Sequence, residues 1–442
     1  MLQKIILIST AIIFLFAFNS CSSTELTEPA KKTEGDNWIK VNDAASVELW
    51  LKITGSTDNT TILIKRDGKE ILNIPQPCKD SVICDKDLTP GKTYSYQAFK
   101  MVGAQTTGIS LPVTAATLGL TSDEFTWQTW KFGQNNNSAI YDIAVITEND
   151  IWAVGQIYMN DSTGQTPNMY NAIHWNGSKW ELKKILFRDY WNYPEYFPIR
   201  TVLAFSNNNV WFASPENLVQ WNGDSLSSKA FFDPSGSCLS QVNKMWGTNE
   251  NNIYCVGDYG MIYHYTGSNM QEIESGTTLS LRDIKGCMNE QNNLEIYAVG
   301  SNTDYPFDKM ILSINDNTAT NVSVEGIPFY INGIWFKPGS KSYTVGCFLY
   351  EKNNSFSDNS TLFTKNDITK YTLRSIDGQA LNDIAACGSY GELLHYNGKN
   401  WQSYHNLVGL ENGEFYCIKI KNNFIIAAGY NNNEAVITIG RR

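Results

Sequence analysis

A five-residue apolar and aromatic motif returns seven times between residues 151 and 429, and a chain built this way must fold as a series of equivalent units. The copies are Ile151–Gly155, Val210–Ser214, Ile253–Gly257, Ile296–Gly300, Ser342–Gly346, Ile384–Gly388 and Ile425–Gly429. Their spacing of about 45 residues is that of propeller blades rather than helical solenoids. Each copy is rich in β-branched or aromatic residues, which favour strands. A second motif follows at Trp175-Asn176-Gly177, Trp221-Asn222-Gly223, Tyr265-Thr266-Gly267 and Tyr396-Asn397-Gly398. Its glycine supplies the positive φ of a tight hairpin turn. Short final strands are expected at 180–185, 226–231, 270–274, 320–324, 368–371 and 401–404, one fewer than the inner motifs. The seventh copy offers only 415–421, 423–428 and 435–439. Its missing strand is sought upstream, where Phe125–Lys131 is similar to Trp401–Tyr404. The two chain ends would then share one blade, leaving no open edge. Residues 120–442 are therefore expected to form a seven-bladed β-propeller closed by N- and C-terminal strands.

The preceding segment, 37–119, alternates: Val47, Leu49, Leu51 and Ile53 share a face, with Glu48 and Lys52 opposite. Asp67-Gly68 marks a hairpin and Pro112–Ala115 a closing strand. The run Leu88-Thr89-Pro90-Gly91-Lys92-Thr93-Tyr94 resembles a fibronectin type III sandwich, in which the Tyr six residues after the Leu forms a tyrosine corner. The resemblance implies a structural Tyr94 and a spacer or interaction module rather than a catalyst. The chain is thus expected to be all-β.

Residues 1–21 carry Lys4, an apolar run from Ile5 to Ala17, and Ser20 before Cys21. This resembles a bacterial lipoprotein signal, which implies lipidation of Cys21 as the mature N-terminus. The apolar run is too short for a comfortable transmembrane helix. Residues 22–36 read as a flexible tether. Signal, sandwich and propeller together resemble a group of exported proteins of Bacteroidetes- and Ignavibacteria-like bacteria, some of them labelled glucosyl transferases. The group implies a lipid-anchored protein of the outer membrane, cell surface or periplasm. No nucleotide-binding α/β pattern supports the transferase label.

A net charge of -10 without a basic cluster argues against nucleic-acid binding. His174, His264 and His395 occupy one repeated position, which marks them as builders of the repeat, since catalysis needs a residue once. His405 has no matching partner pattern. No nucleophile elbow, HExxH, P-loop or EF-hand pattern occurs, so neither metal nor cofactor is expected. Cys78 and Cys84 form either a loop-clasping disulfide or a reduced pair. Cys238, Cys255, Cys287, Cys347, Cys387 and Cys417 read as buried thiols with no assignable pairing.

Departures from the repeat carry the functional signal. The stretches 156–171, 187–198, 302–307 and 348–356 read as long loops on one propeller face, bearing Tyr158, Tyr170, Tyr190, Trp191, Tyr193, Tyr196, Tyr305, Phe307, Tyr350 and Phe356. Loop-borne aromatics stack on sugars or anchor protein partners, so a binding or adhesion module for glycan or protein is expected. The alternative is a carbohydrate-active enzyme using a carboxylate pair from Asp189, Glu195, Asp304 and Asp308.

Overall fold

The computed structural model describes residues 38–54, 60–74, 81–134, 137–160, 167–188, 193–215, 217–231, 241–352, 363–365 and 367–442. Cys21, Cys78, Asp189, Tyr190, Trp191, Cys238 and Phe356 lie outside them. Among the described residues, apart from short helical turns at Asp258–Gly260 and His405–Val408, the regular structure is β.

Residues 39–116 form a sandwich. Ile39–Ala44, Leu49–Ile53 and Ser81–Asp85 make one sheet. Lys69–Ile74, Thr61–Arg66, Thr93–Val102 and Gln105–Ile109 make the other, with Val113–Ala116 also on Thr93–Val102. Alternation sends Ile39, Leu49, Leu51 and Ile53 inward against Ile62, Ile64, Tyr96 and Ala98. The Tyr94 hydroxyl accepts the Thr89 N–H at 2.9 Å, the bond of a tyrosine corner.

Seven four-stranded antiparallel sheets follow. Their innermost strands are Ala139–Thr147, Thr201–Ser206, Val242–Asn249, Leu281–Met288, Ile331–Lys337, Leu373–Ala380 and Gly413–Lys421. Each packs on the next and the last packs on the first, so the sheets close a ring around an axis. This is the arrangement of a β-propeller. The repeated glycine has a steric cause. A Cβ on Gly155, Gly257, Gly346, Gly388 or Gly429 would lie 1.8–2.1 Å from a carbonyl oxygen within one residue of the start of the neighbouring innermost strand. That strand is bulged opposite the glycine, with register shifts at Tyr141, Asn243, Asn332, Arg374 and Tyr416.

The ring closes as the sequence similarity of its ends anticipates. Thr126–Phe132 pairs with Glu434–Arg441, from Ala435 opposite Phe132 to Arg441 opposite Thr126. Beside the seam, the fully buried His395 places Nδ1 2.7 Å from Asp123 and Nε2 2.7 Å from Asp383. The Arg442 guanidinium bridges to the same Asp383. Burial alone would raise the Asp383 pKa, but His395 and Arg442 outweigh it and hold the carboxyl below its ordinary value.

The fourth strand of the fifth sheet is Phe363–Lys365 rather than 368–371. Ile368 instead packs against the core between the fifth and sixth sheets. The final strands of the third and sixth sheets, Met270–Glu272 and Trp401–Ser403, fall where the repeat places them.

The sandwich is docked on the ring. We call lower the ring face formed by turns between first and second, and third and fourth, strands. Trp50 points away from the sandwich core and is wholly buried with Trp335, Tyr343, Leu381 and Tyr396. Lys341 is 4 % exposed and lies between Glu48 of the sandwich, at 2.7 Å, and Glu351 of the ring, at 2.9 Å. Asp43 takes Lys337 at 2.6 Å and the Ser340 hydroxyl at 2.7 Å. These ring residues surround lower-face turns, so the upper face is left clear of the sandwich. Cys84 is a free thiol packed at the same junction, its pKa pushed up to about 12 mainly by burial. Cys78, the other member of the pair, lies outside the described residues.

Two outcomes follow for stability. Trp50→Ala should cost roughly 3–5 kcal/mol in urea unfolding, because it empties a fully buried aromatic site joining the two units; a loss confined to a few tenths would mean the sandwich does not brace the ring. Asp383 has a depressed folded pKa, so its stabilising contribution is complete above the unfolded value near ~4 and is lost as pH falls through the folded value. Asp383→Asn should therefore lower the melting temperature at neutral pH and shrink that deficit below pH ~4, measured by calorimetry across pH.

Candidate functional site

The bulges that accommodate the glycines also turn side chains toward the axis. On the upper face, Tyr141, Asn243, Arg282, Asn332, Arg374 and Tyr416 sit at the bulge of their innermost strands, and Arg200 immediately precedes the innermost strand of the second sheet. One residue from each of the seven sheets thereby lines a cavity of about 370 Å³ at the mouth of the axial channel. Asp258 and Glu414 complete its charges. A bulge commonly re-aims a side chain in this way.

The mouth is electropositive. Its three guanidinium groups face two carboxylates, leaving one positive charge uncompensated, in a chain of net charge -10. Arg374 donates through Nε to Glu414 Oε1 at 2.7 Å, and Ser389 Oγ donates to the same oxygen. Asn243 Nδ2 reaches Asp258 Oδ1 at 2.9 Å. Arg200 lies over the Tyr141 ring at 4.0 Å, and its buried Nε has no hydrogen-bond partner among the described residues. Arg282 Nε donates to the Ser301 carbonyl at 3.0 Å. Burial and the neighbouring Arg374 lower the Arg282 pKa, the signature of cations held together with little counter-charge. Buried Asn332 Oδ1 is likewise an unpaired acceptor.

Beneath the mouth the channel narrows to a cavity of about 240 Å³ with a charged layer around it. Lys244 meets Asp142 at 2.6 Å and Lys285 meets Asp377 at 2.7 Å. Asp283 Oδ2 accepts the Ile334 N–H at 3.0 Å. Lys419 completes the layer, its pKa lowered by burial and by Lys244. Three lysines and three aspartates balance there. At the lower end Lys421 donates to the carbonyls of Val145 and Ile146 at 3.1 and 2.8 Å. The channel interior is thus satisfied largely by itself, whereas the mouth retains free donors.

The aromatic positions singled out from sequence divide. Tyr193, Tyr196 and Tyr305 are 67 %, 48 % and 87 % exposed. Lys184 Nζ lies 5.2 Å from the Tyr170 ring and 5.6 Å from that of Tyr196, joining these into one patch. Tyr158 and Tyr170 are not on a loop: the second and third strands of the first sheet run on past a bulge and carry both, Tyr158 opposite Met169 and Ile157 opposite Tyr170. Tyr350 is wholly buried against Tyr297, Val299 and Phe336. The fifth sheet connects its second and third strands through only Cys347 and Phe348, so Tyr350 falls inside a strand and cannot meet a ligand at the surface.

Among the candidate carboxylates, Asp308 Oδ2 accepts Asn302 Nδ2 at 3.2 Å, while Asp304 meets the Phe307 N–H through its backbone carbonyl only. Glu195 is exposed. His174, His264 and His395 bond through Nε2 to Asp150, Asn252 and Asp383 at 2.7–2.8 Å. Each tie links the third strand to the start of the second. His405 instead meets the Tyr371 hydroxyl at 3.1 Å. Among the described residues no group of three or more His, Cys, Asp or Glu could hold a metal ion.

The mouth arginines escape a reading centred on loops. The signal is nonetheless present: Arg200-Thr201-Val202, Arg282-Asp283-Ile284 and Arg374-Ser375-Ile376 share an Arg-x-Val/Ile pattern ahead of three inner motifs.

No family model matches the chain, and no curated protein matches it. Similar solved structures include YCF48 bound to a D1 peptide, at 14 % identity and a TM-score of 0.54, the match covering 73 % of this chain and 100 % of the other. They also include YCF48 from Cyanidioschyzon merolae, at 16 % identity and a TM-score of 0.49, covering 72 % and 98 %. An identity of 14 % speaks to fold alone, and the fold that the first of them speaks to is that of a β-propeller.

Proposed function

We propose that this chain is an exported, lipid-anchored binding protein: a seven-bladed propeller carried on a fibronectin type III-like module, gripping an acidic group of a protein partner in its upper axial mouth. The observation that carries the reading is the convergence of Arg200, Arg282 and Arg374 on one cavity of an acidic chain, with Arg200 Nε unpaired. Charged donors fixed in a partly desolvated site favour a carboxylate strongly, and Arg offers two parallel hydrogen bonds to it. YCF48, whose solved structure holds a D1 peptide, shares the fold and so is consistent with a peptide or protein ligand.

The arrangement suits an anchored molecule. A lipid at Cys21 and the tether of 22–36 would hold the sandwich near the membrane, and the sandwich covers part of the lower face. The upper mouth would then look outward. In this reading the chain is not an enzyme; the Asp308 carboxylate serves its own turn. A second reading, glycan binding, is favoured by the patch of Tyr170, Tyr196 and Lys184 with exposed Tyr193. It would use the side of the upper face rather than the axis.

The full chain in detergent, panned against a displayed random peptide library and a polysaccharide panel, separates these readings. Peptides rich in Asp and Glu should be enriched, with affinity falling as salt rises. Arg200→Gln with Arg282→Gln should weaken them by roughly tenfold or more, the scale of one lost charged hydrogen bond or two. Enrichment of acidic peptides that survives both substitutions would reject the mouth as the site; saturable polysaccharide binding would favour the glycan reading.

A further inference from the structure

Nine described non-glycine residues have positive φ, and six of them are Asp or Asn, which tolerate the left-handed region. The other three are aromatic: Tyr259, Phe307 and Tyr390, each at φ 57°. All three lie between the second and third strands of a ring sheet, on the upper face. For a bulky side chain this conformation is a backbone outlier, and such outliers persist where function holds them.

Tyr259 and Tyr390 are equivalent. Asp258-Tyr259-Gly260-Met261 and Ser389-Tyr390-Gly391-Glu392 are two-residue hairpin turns closed by N–H to carbonyl bonds of 3.2 and 3.1 Å. Both central residues have positive φ, with Gly260 at 73° and Gly391 at 72°. The first central position of such a turn ordinarily takes Asn, Asp or Gly. Here it takes Tyr twice, and both rings are exposed, 74 % and 53 %. Neither ring fills a core; that of Tyr390 lies 5.6 Å from the ring of Tyr371. The turns are pinned from below: Asp258 N–H bonds to Gln241, Ser389 N–H to Thr372, and Tyr390 N–H to Gly413.

Their position ties them to the mouth. Asp258, one residue before Tyr259, lines it. Ser389, one residue before Tyr390, bonds mouth-lining Glu414. The two turns belong to the third and sixth sheets, as far apart as two of seven can be.

Resting on the reading of the mouth as an acidic-group site, we propose that Tyr259 and Tyr390 are specificity-determining posts for an extended polypeptide segment that crosses the upper face with its acidic residue in the mouth. Rigid exposed tyrosines bury much apolar area at small entropic cost. Two of them on opposite sides of a charged pocket select a segment with apolar residues, aromatic or proline, on both sides of the acidic one. The positive mouth supplies the charge complementarity that favours such a segment over a neutral one.

Glycine at either position would relieve the backbone, so loss of function should come with no loss of stability. The full chain, its Tyr259→Gly/Tyr390→Gly variant and its Arg200→Gln/Arg282→Gln variant are each panned against one displayed random dodecapeptide library and melted by calorimetry. The native chain should enrich acidic peptides with apolar flanks. The tyrosine variant should keep the acidic preference, lose the flanking one, bind the enriched peptides roughly tenfold more weakly, and melt at the same temperature or higher. A lower melting temperature would make the rings packing elements, and unchanged flanking preference would remove them from the contact; either overturns the proposal while the mouth reading stands. Acidic preference that persists in the arginine variant, or no enrichment on the native chain, overturns both.

Discussion

The architecture depends on how closely the second strand of each sheet approaches the innermost one. At five of the inner-motif glycines, each set against a bulge, the carbonyl across the way stands where a Cβ would be. Hydrogen-bond geometry therefore admits one residue type, and the compact approach it permits is repeated around the ring. The same bulge rotates one residue out of the ladder and toward the axis. A steric requirement of the scaffold thus creates the ring of side chains at the mouth, and the chain is free to choose their chemistry because the bulge has already fixed their direction.

That freedom is used unevenly along the axis. Within the channel, lysines and aspartates neutralise each other across sheets, Lys244 with Asp142 and Lys285 with Asp377, and such pairs tie sheets distant in sequence. Buried pairs of this kind contribute little net stability but make their loss costly, so they enforce one arrangement of the ring. At the mouth the balance is broken in favour of arginine. On the lower face, buried Lys341 between two glutamates and Trp50 among ring aromatics convert a neighbouring domain into a brace.

Much of this was legible in the sequence, and the reasons are local. The inner motif, the Asn-Gly turns and the terminal strand similarity each report backbone geometry, which short-range residue choice encodes directly. The interior position of Tyr350 was not legible, because an apolar-aromatic run beside Phe348 reads equally as loop or strand until the two-residue connection is seen. Nor was the extension of the first sheet through Tyr158 and Tyr170. The mouth was missed for a different reason. Arg200, Arg282 and Arg374 are far apart in the chain, and only ring closure brings them together. Docking of the sandwich likewise depends on Trp50 and Lys341, each unremarked within its own strand pattern.

The seam between Thr126–Phe132 and Glu434–Arg441 carries a temporal implication. Thr129 and Thr438, whose hydroxyls meet at 2.9 Å, are 309 residues apart. During synthesis the outermost strand of the seventh sheet emerges first among the ring strands and its partner last among them, so the ring can become cooperative only when Glu434–Arg441 is available. Any product lacking Glu434–Arg441 would present an unpaired strand edge for its whole lifetime. Closure of the ring is thereby made visible on its surface, and a protease or chaperone needs no information beyond an open edge to tell a closed ring from an open one.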